Sequence, residues 1–348
     1  MTVFQAIDFS DHEQVVYASD AASGLRAIIA VHDTRLGPGM GGCRAYEYPD
    51  EASALRDVLR LSKGMTYKSA VAGVRFGGGK AVILLEPGQP KTEKLVLAMG
   101  RVIERLGGRY ITGEDIGTTP QDMSIMLRVT KHVLGASPGD GGSGDPSPST
   151  ALGCFEGLKA SVRYRLGSES LEGATVAVQG LGKVGWYLCE RLHAAGARLV
   201  VADVNSESVT RAVETFGAQA LDAEEIYDAN ADVFAPCAMG AILNGQTIPR
   251  LRATVVAGAA NNQLDRPEHG TALQQRGILY APDYVINGGG VIQLEVEYDG
   301  YDATEVERRV CGIAPTLSQI FASAEADGIT THEAADRLAE ARLGAASG

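Results

Sequence analysis

The chain has 348 residues, 45% apolar and 21% charged, a composition that suits a soluble globular protein of about two domains with sizeable cores. A formal net charge of −12 argues against a nucleic-acid-binding surface, which needs clustered Lys and Arg, but leaves small anionic ligands open. The five cysteines (Cys43, Cys154, Cys189, Cys237, Cys311) are scattered and odd in number, so no disulfide framework or metal site is expected and a reducing cytoplasm fits best.

The first residues, MTVFQAIDFSDHEQ, lack the basic-then-apolar pattern of a secretory leader, and no apolar run approaches membrane-spanning length. LRAIIAVH (25–32) reads as a strand, and RLGPGMGGCR (35–44) as a loop where backbone can approach a ligand closely. The spacing of Leu55, Val58, Leu59 and Ser62 predicts an amphipathic helix over 52–65. Within AGVRFGGGKAVILLEP (72–87), residues 80–85 form a short buried strand, and the three glycines before it are expected to bring backbone close to a substrate. A helix over 93–106 leads into GGRYITGEDIG, a short strand ending in a loop.

GASPGDGGSGDPSPST (135–150) reads as a domain boundary or hinge. Beyond it, strands are expected at 175–179, 198–203, 232–235, 254–258 and 277–281, with helices between, so the fold class is α/β with a parallel sheet. The C-terminal part is helical. Val306, Val310, Ile313, Leu317 and Phe321 share a face that Pro315 should kink, and Thr330 with Glu333 makes a capping-box pattern for a last helix.

In TVAVQGLGKVGWYLCERLHAAGARLVVAD, Gly180, Gly182 and Gly185 stand as GxGxxG, interleaved with Leu181, Lys183 and Val184. A strand precedes the motif, a helix follows it, and the next strand ends in Asp203. That context matches the dinucleotide fingerprint, with a tight turn, backbone against the pyrophosphate and close helix–strand packing, the alternative being a glycine-rich turn in an unrelated α/β protein. Asp203 suits ribose hydroxyls and would repel a 2′-phosphate, so NAD is favoured over NADP. Asn261 and Asn262 follow a later strand of the same unit, at an end where such sheets carry ligands, although an ordinary Asn turn fits equally.

Lys80 is not a Walker lysine, because Val74 stands where the first glycine belongs and Ala81 replaces the Ser or Thr. From the residues alone it is a base, with its pKa depressed by an apolar flank and a second lysine such as Lys68, or a surface lysine at a turn. Asp115 in TGEDIG is a matching acid or a turn former.

LGPGMGGCR, GMTYK, GGGKAVI, TGEDIGT, GDPSPSTALG, VQGLGKVG, FAPCAMGA, AGAANNQL and APDYVINGGGVI, in this order, resemble the glutamate/leucine/phenylalanine/valine dehydrogenases over nearly the whole chain. The resemblance implies a substrate and oligomerisation domain over 1–140 and a Rossmann NAD domain over 141–324, with a cleft between them and helices from about 325 to 348 returning to the first domain. It implies reversible oxidative deamination of an L-amino acid to a 2-oxo acid and ammonia by a homo-oligomer, a dimer or octamer. Lys80 would activate water, Lys68 hold the substrate carboxylate, and Asp115 exchange a proton with the substrate nitrogen. Met40, Gly41, Met65, Gly113, Asn262, Val291 and Leu294 would line the substrate, and Arg44, Thr150, Ala238 and Asn261 the cofactor. Gly113 replaces an alanine usual in members acting on branched aliphatic side chains and enlarges the pocket, while Val291 is the aliphatic-type choice. Branched-chain substrates are expected, with aromatic ones the alternative. Gly288 in NGGG, where NAGG is usual, casts little doubt on function. A non-catalytic sensor on this fold would not need to keep Lys80 and Asp115. A 2-hydroxy-acid dehydrogenase would want a His–carboxylate pair that these motifs lack.

Overall fold

The computed structural model describes residues 3–346. Its chain forms two compact units: one comprises the residues up to Pro146, Gln293–Asp302 and those from Ala339 onward, the other Ser147–Ile292 and Ala303–Leu338.

The first unit holds β1 (Gln14–Asp20), β2 (Leu25–Asp33), β3 (Gly39–Tyr46), α1 (Glu51–Ala72), β4 (Gly77–Leu84), α2 (Glu93–Arg105), β5 (Tyr110–Glu114) and α3 (Pro120–Leu127). The sheet order is β1-β2-β4-β3-β5, antiparallel on the β1–β2–β4 side and parallel across β4–β3–β5. Ala81 and Ile83 on one face of β4 join Leu95, Met99, Ile103, Met123 and Met126; Val82 and Leu84 on the other join Leu55, Val58 and Leu59 of α1. Burial of each such side chain stabilises the unit by about 1.5–3 kcal/mol.

The glycine-rich stretch expected to be a loop over 35–44 is largely strand β3. It lies between β4 and β5, which supply hydrogen-bond ladders on both sides. A Cβ on Gly41 would stand 1.9 Å from the Gly79 carbonyl oxygen, and one on Gly42 2.3 Å from that of Glu114, so glycine is required inside the sheet. The three glycines of β4 likewise answer to the protein. A Cβ on Gly77 would strike the Asp33 oxygen at 1.9 Å, one on Gly78 Thr66 Oγ1 of α1 at 2.0 Å, and one on Gly79 the Tyr110 ring at 2.7 Å. Close packing of β2, α1 and the Tyr110 ring against β4 thus requires glycine at all three positions. Helix α1 begins at Asp50, whose carboxylate accepts from Ser53 N, and ends at Gly73 in the left-handed region (φ 66°).

The second unit starts with α4 (Ser147–Leu166) and continues β6 (Thr175–Gln179), α5 (Lys183–Ala194), β7 (Arg198–Ala202), α6 (Ser206–Phe216), β8 (Gln219–Ala220), β9 (Val233–Pro236), β10 (Val255–Val256), α7 (Glu268–Gln275), β11 (Leu279–Tyr280) and α8 (Asp283–Ile286). Its strands are parallel in the order β11-β10-β9-β6-β7-β8. Counted from β6, this is the doubly wound order 3-2-1-4-5-6, whose direction reverses between β6 and β9. Helices α9 (Gly289–Asp299), α10 (Ala303–Val310), α11 (Ile313–Asp327) and α12 (Thr331–Ala345) complete the chain. The helix break precedes Pro315, which sits in the first turn of α11, where a missing N–H costs nothing. Thr330 and Glu333 do cap α12, Glu333 N donating to Thr330 Oγ1 at 3.1 Å. No helix among the described residues is long and apolar enough to cross a membrane.

The division falls at 146/147, where the sequence suggests 140/141, because a carboxylate of α9 holds Gly135 and Ser143 to the first unit, as set out below. The C-terminal return begins at Ala339, later than the expected 325. Tyr284 OH donates to Asp336 Oδ1 at 2.6 Å within the second unit, while Arg342 donates to the Ala70 and Val71 carbonyls at 2.9 and 2.7 Å within the first. Residues 347 and 348 of the expected return lie outside the described residues.

Candidate functional site

Strand register places the first group of candidates. Gly78 of β4 pairs with Met40 and Ala81 with Cys43, so Lys80 stands beside Gly42, which pairs with Gly113 of β5. Lys80 and Gly113 are thus separated by a residue with no side chain. A Cβ on Gly42 would lie 2.9 Å from Asp115 Cβ, so the bare glycine lets Asp115, just past β5, lean back across β3. There its Oδ2 forms an ion pair with Lys80 Nζ. Gly42 escaped the sequence reading; the doubled glycine of MGGC was its only signal.

Both members of the pair are largely buried. Arg44 of β3 lies 3.5 Å from the same Asp115 oxygen through Nε and donates to Asp57 Oδ2 of α1 at 2.8 Å. Tyr48 OH also donates to Asp57, at 2.7 Å. Burial pushes the Asp115 carboxyl up, but the Lys80 ammonium and the Arg44 guanidinium outweigh it and hold the carboxyl below its ordinary value. Sequence reasoning supplies Lys68 as the neighbour that tunes Lys80; the ion pair seen here is with Asp115. It also places Arg44 near a cofactor, whereas its partners here are Asp57 and Asp115. Asp57 carried no sequence signal, being one of several charges on an amphipathic helix.

Lys68 is half-buried on α1, the helix that meets β4 at Gly78. Met65 Cγ lies 3.2 Å from the point where a Gly41 Cβ would stand, and Met40 is buried. Leu294 Cδ1 lies 3.5 Å from the corresponding point on Gly113. Met40, Gly41, Met65, Lys68, Lys80, Gly113, Asp115 and Leu294 all belong to the first unit.

The other candidates gather at the carboxyl ends of the second unit's strands. Gly180 follows β6 with φ 97°, and a Cβ there would meet Ala238 Cβ, past β9, at 2.7 Å. The turn therefore sits at the reversal of strand order. Nothing stands within 4 Å of a Cβ on Gly182, which leaves room for a ligand, whereas one on Gly185 would strike the Gly180 oxygen at 2.0 Å. No side chain caps α5 at Gly182, so its positive end faces an incoming anion, and Leu181, Lys183 and Val184 lie on this turn. Asp203 Oδ2 accepts from Leu181 N at 2.5 Å and Oδ1 from Asn205 N at 2.8 Å. Each oxygen retains a lone pair for a hydroxyl donor. Ala241 N donates to the Asn262 carbonyl at 2.7 Å, which brings the loops after β9 and β10 together, and Asn261 Oδ1 accepts from Asn287 Nδ2, also at 2.7 Å. A Cβ on Gly289 would lie 3.0 Å from Thr150 Cα, so the start of α9, which carries Val291, abuts α4. These residues fit a dinucleotide: a glycine turn, an open helix end and an acceptor carboxylate.

Two family models match the chain. The Glu/Leu/Phe/Val dehydrogenase dimerisation domain covers residues 11–132, and Glutamate/Leucine/Phenylalanine/Valine dehydrogenase covers 141–209 and 201–347. The chain is 51% identical to leucine dehydrogenase of Geobacillus stearothermophilus over 99% of its own length and 94% of that protein's. It is 46% identical to phenylalanine dehydrogenase of Bacillus thermotolerans, over 98% and 90% respectively. Among solved structures, L-tryptophan dehydrogenase from Nostoc punctiforme superposes with a TM-score of 0.85 at 46% identity, covering 97% of each chain.

Proposed function

The chain belongs to the glutamate/leucine/phenylalanine/valine dehydrogenase family, and we propose that it deaminates branched-chain L-amino acids, leucine foremost with valine and isoleucine beside it, using NAD. The reaction is L-amino acid + NAD⁺ + H₂O to 2-oxo acid + NH₄⁺ + NADH + H⁺, and it is reversible. The observation that carries this reading is the buried Lys80–Asp115 pair, a base and an acid brought into contact across a glycine.

Lys68 holds the substrate carboxylate as a fixed cation. Asp115 exchanges a proton with the substrate nitrogen, and Lys80, once the ammonium of the ion pair has given up its proton, takes one as the neutral amine from the water that attacks the imine carbon. The nicotinamide, when bound, accepts the hydride from Cα. Met40, Gly41, Met65, Gly113 and Leu294 of the first unit are substrate-binding residues on this reading, as are Asn262 and Val291 of the second. Gly180, Leu181, Gly182, Lys183, Val184, Gly185 and Asp203 seat the dinucleotide, with Thr150, Ala238 and Asn261 beside it and Arg44 steadying Asp115. The Asp203 carboxylate supports NAD over NADP, because a 2′-phosphate would meet a like charge. The first unit serves as substrate and oligomerisation domain, and the protein as a cytoplasmic homo-oligomer, a dimer or octamer; the dimerisation-domain match supports self-association through this unit.

The test is NADH formation with L-Leu, L-Val, L-Ile, L-Phe, L-Trp and L-Glu, repeated with NADP. Activity on the three branched-chain substrates with NAD is expected; no turnover on any amino acid sinks the reading.

Gly113 favours a second reading, aromatic substrates, since it lacks a methyl at the pocket wall. A Cβ there would make ordinary contacts, 3.5 Å to Leu294 Cδ1 and 3.6 Å to the Leu134 oxygen, so Gly113→Ala should fold. It is expected to shift the kcat/KM ratio of leucine over phenylalanine upward by about tenfold, the scale of a pocket methyl. An unchanged ratio removes Gly113 from the specificity determinants.

A further inference from the structure

Glu297 of α9 stands four residues after Gln293 and three after Leu294, so it neighbours both on the helix surface. All three meet the same stretch of the first unit. Glu297 Oε1 accepts from Gly135 N at 2.9 Å, and Oε2 accepts from Ser143 N at 2.9 Å and from the Ser143 hydroxyl. Gln293 Nε2 donates to Ser143 Oγ at 3.0 Å. Leu294 lies between two glycines: Cδ1 faces Gly113, and Cδ2 lies 3.3 Å from the point where a Gly135 Cβ would stand. The residue before Gly135 is tied to β5, Leu134 N donating to the Thr112 carbonyl at 2.8 Å. The contacts close a ring from β5 through Leu134 and Gly135 to Glu297, then back along one helical turn to Leu294 and Gly113. On the opposite side of the helix, Glu295 accepts from Arg75 N at 2.9 Å and Nε at 3.1 Å, which opposes rotation of α9 about its axis.

We propose that Glu297 is the positioning residue of the substrate side-chain pocket: by clamping Gly135 and Ser143 it sets how closely Leu294 approaches Gly113, and hence which side chains fit. This rests on the reading above that Gly113 and Leu294 line that pocket. Glu297 touches no reacting atom. Its carboxylate acts through two charge-assisted backbone hydrogen bonds, which also make an ordered wall of the glycine- and serine-rich segment 135–143. A neutral acceptor would hold the same amides more weakly, and an alanine would release them.

The experiment compares wild type with Glu297→Ala, Glu297→Gln and Ser143→Ala, measuring kcat and KM for L-leucine and L-phenylalanine at saturating NAD. Glu297→Ala is expected to raise KM for leucine about tenfold with kcat within about twofold, and to lower the leucine-over-phenylalanine ratio by a similar factor. Glu297→Gln, which keeps one acceptor oxygen and puts an NH2 donor in place of the other, should recover part of the loss, and Ser143→Ala should move the ratio the same way by about threefold. Equal losses for both substrates would overturn the proposal and make Glu297 a stabilising residue only. Where Glu297→Ala does not fold, the other two variants decide, and an unmoved ratio in both overturns it. A wild type inactive on every amino acid refutes the underlying function; an active wild type with unmoved ratios refutes only the role of Glu297.

Discussion

Lys80→Ala is expected to lower kcat by about a thousandfold or more while NAD affinity stays within about twofold. The two effects separate because Lys80 lies on β4 of the first unit, whereas the glycine turn and Asp203 belong to the second. The variant should also fold. The lost side chain leaves Asp115 with Arg44 at 3.5 Å, so no buried carboxylate is stranded without a cation. Steady-state NADH formation reads the first effect and a fluorescence titration of NADH the second. A kcat near wild type would remove Lys80 from the chemistry, and lost NADH binding would point to a misfolded protein.

Asp115→Asn carries the second large effect, on both activity and stability. It removes the proton carrier, with an expected loss in kcat of about a hundredfold or more. It also leaves the Lys80 ammonium and the Arg44 guanidinium facing a neutral amide, which should destabilise the fold by about 3 kcal/mol at neutral pH. Because the Asp115 carboxyl is held below its ordinary value, its contribution is present above about pH 4 and is lost as pH falls through the lower folded value. The stability gap between wild type and Asp115→Asn should therefore be constant from neutrality to about pH 5 and narrow below it. Urea midpoints across that range measure this; a gap that stays constant into acid would show that Asp115 does not titrate as the partner of Lys80 and Arg44.

Much of the second unit was legible in the sequence. All its strands but the exposed two-residue β8, which the sequence does not signal, are apolar, helices alternate with them, and GxGxxG with Asp203 at the next strand end marks the turn at the reversal of strand order. The first unit was harder to read. β1 is only half-buried and its apolar run is short, and β3 contains glycines that carry no strand signal. Its strand character comes from the neighbours on either side, which sequence order does not reveal. The triplet before Lys80 was legible as a demand for close approach, but not as to what approaches; the neighbours are a carbonyl, a helix and a tyrosine ring. The segment 135–146 has the composition of a hinge because composition cannot register a carboxylate held far along the chain at Glu297. The Lys80–Asp115 contact was foreshadowed by residue type alone, and Gly42, which permits it, by nothing beyond a repeated letter.

Besides the ribose contact proposed for it, Asp203 has a role within the fold. Its carboxylate takes the Leu181 amide, so the end of β7 is stapled to the turn after β6. On the proposed reading, nucleotide preference and the shape of that turn rest on one side chain. An aliphatic residue at 203 would untie the turn proposed to receive the pyrophosphate, whereas asparagine would remove the like charge and keep an oxygen that can accept from Leu181 N. On this reading a change of cofactor is open only through residues that still present an acceptor to the turn, so the fold narrows the choice at a position the ligand alone would leave wide.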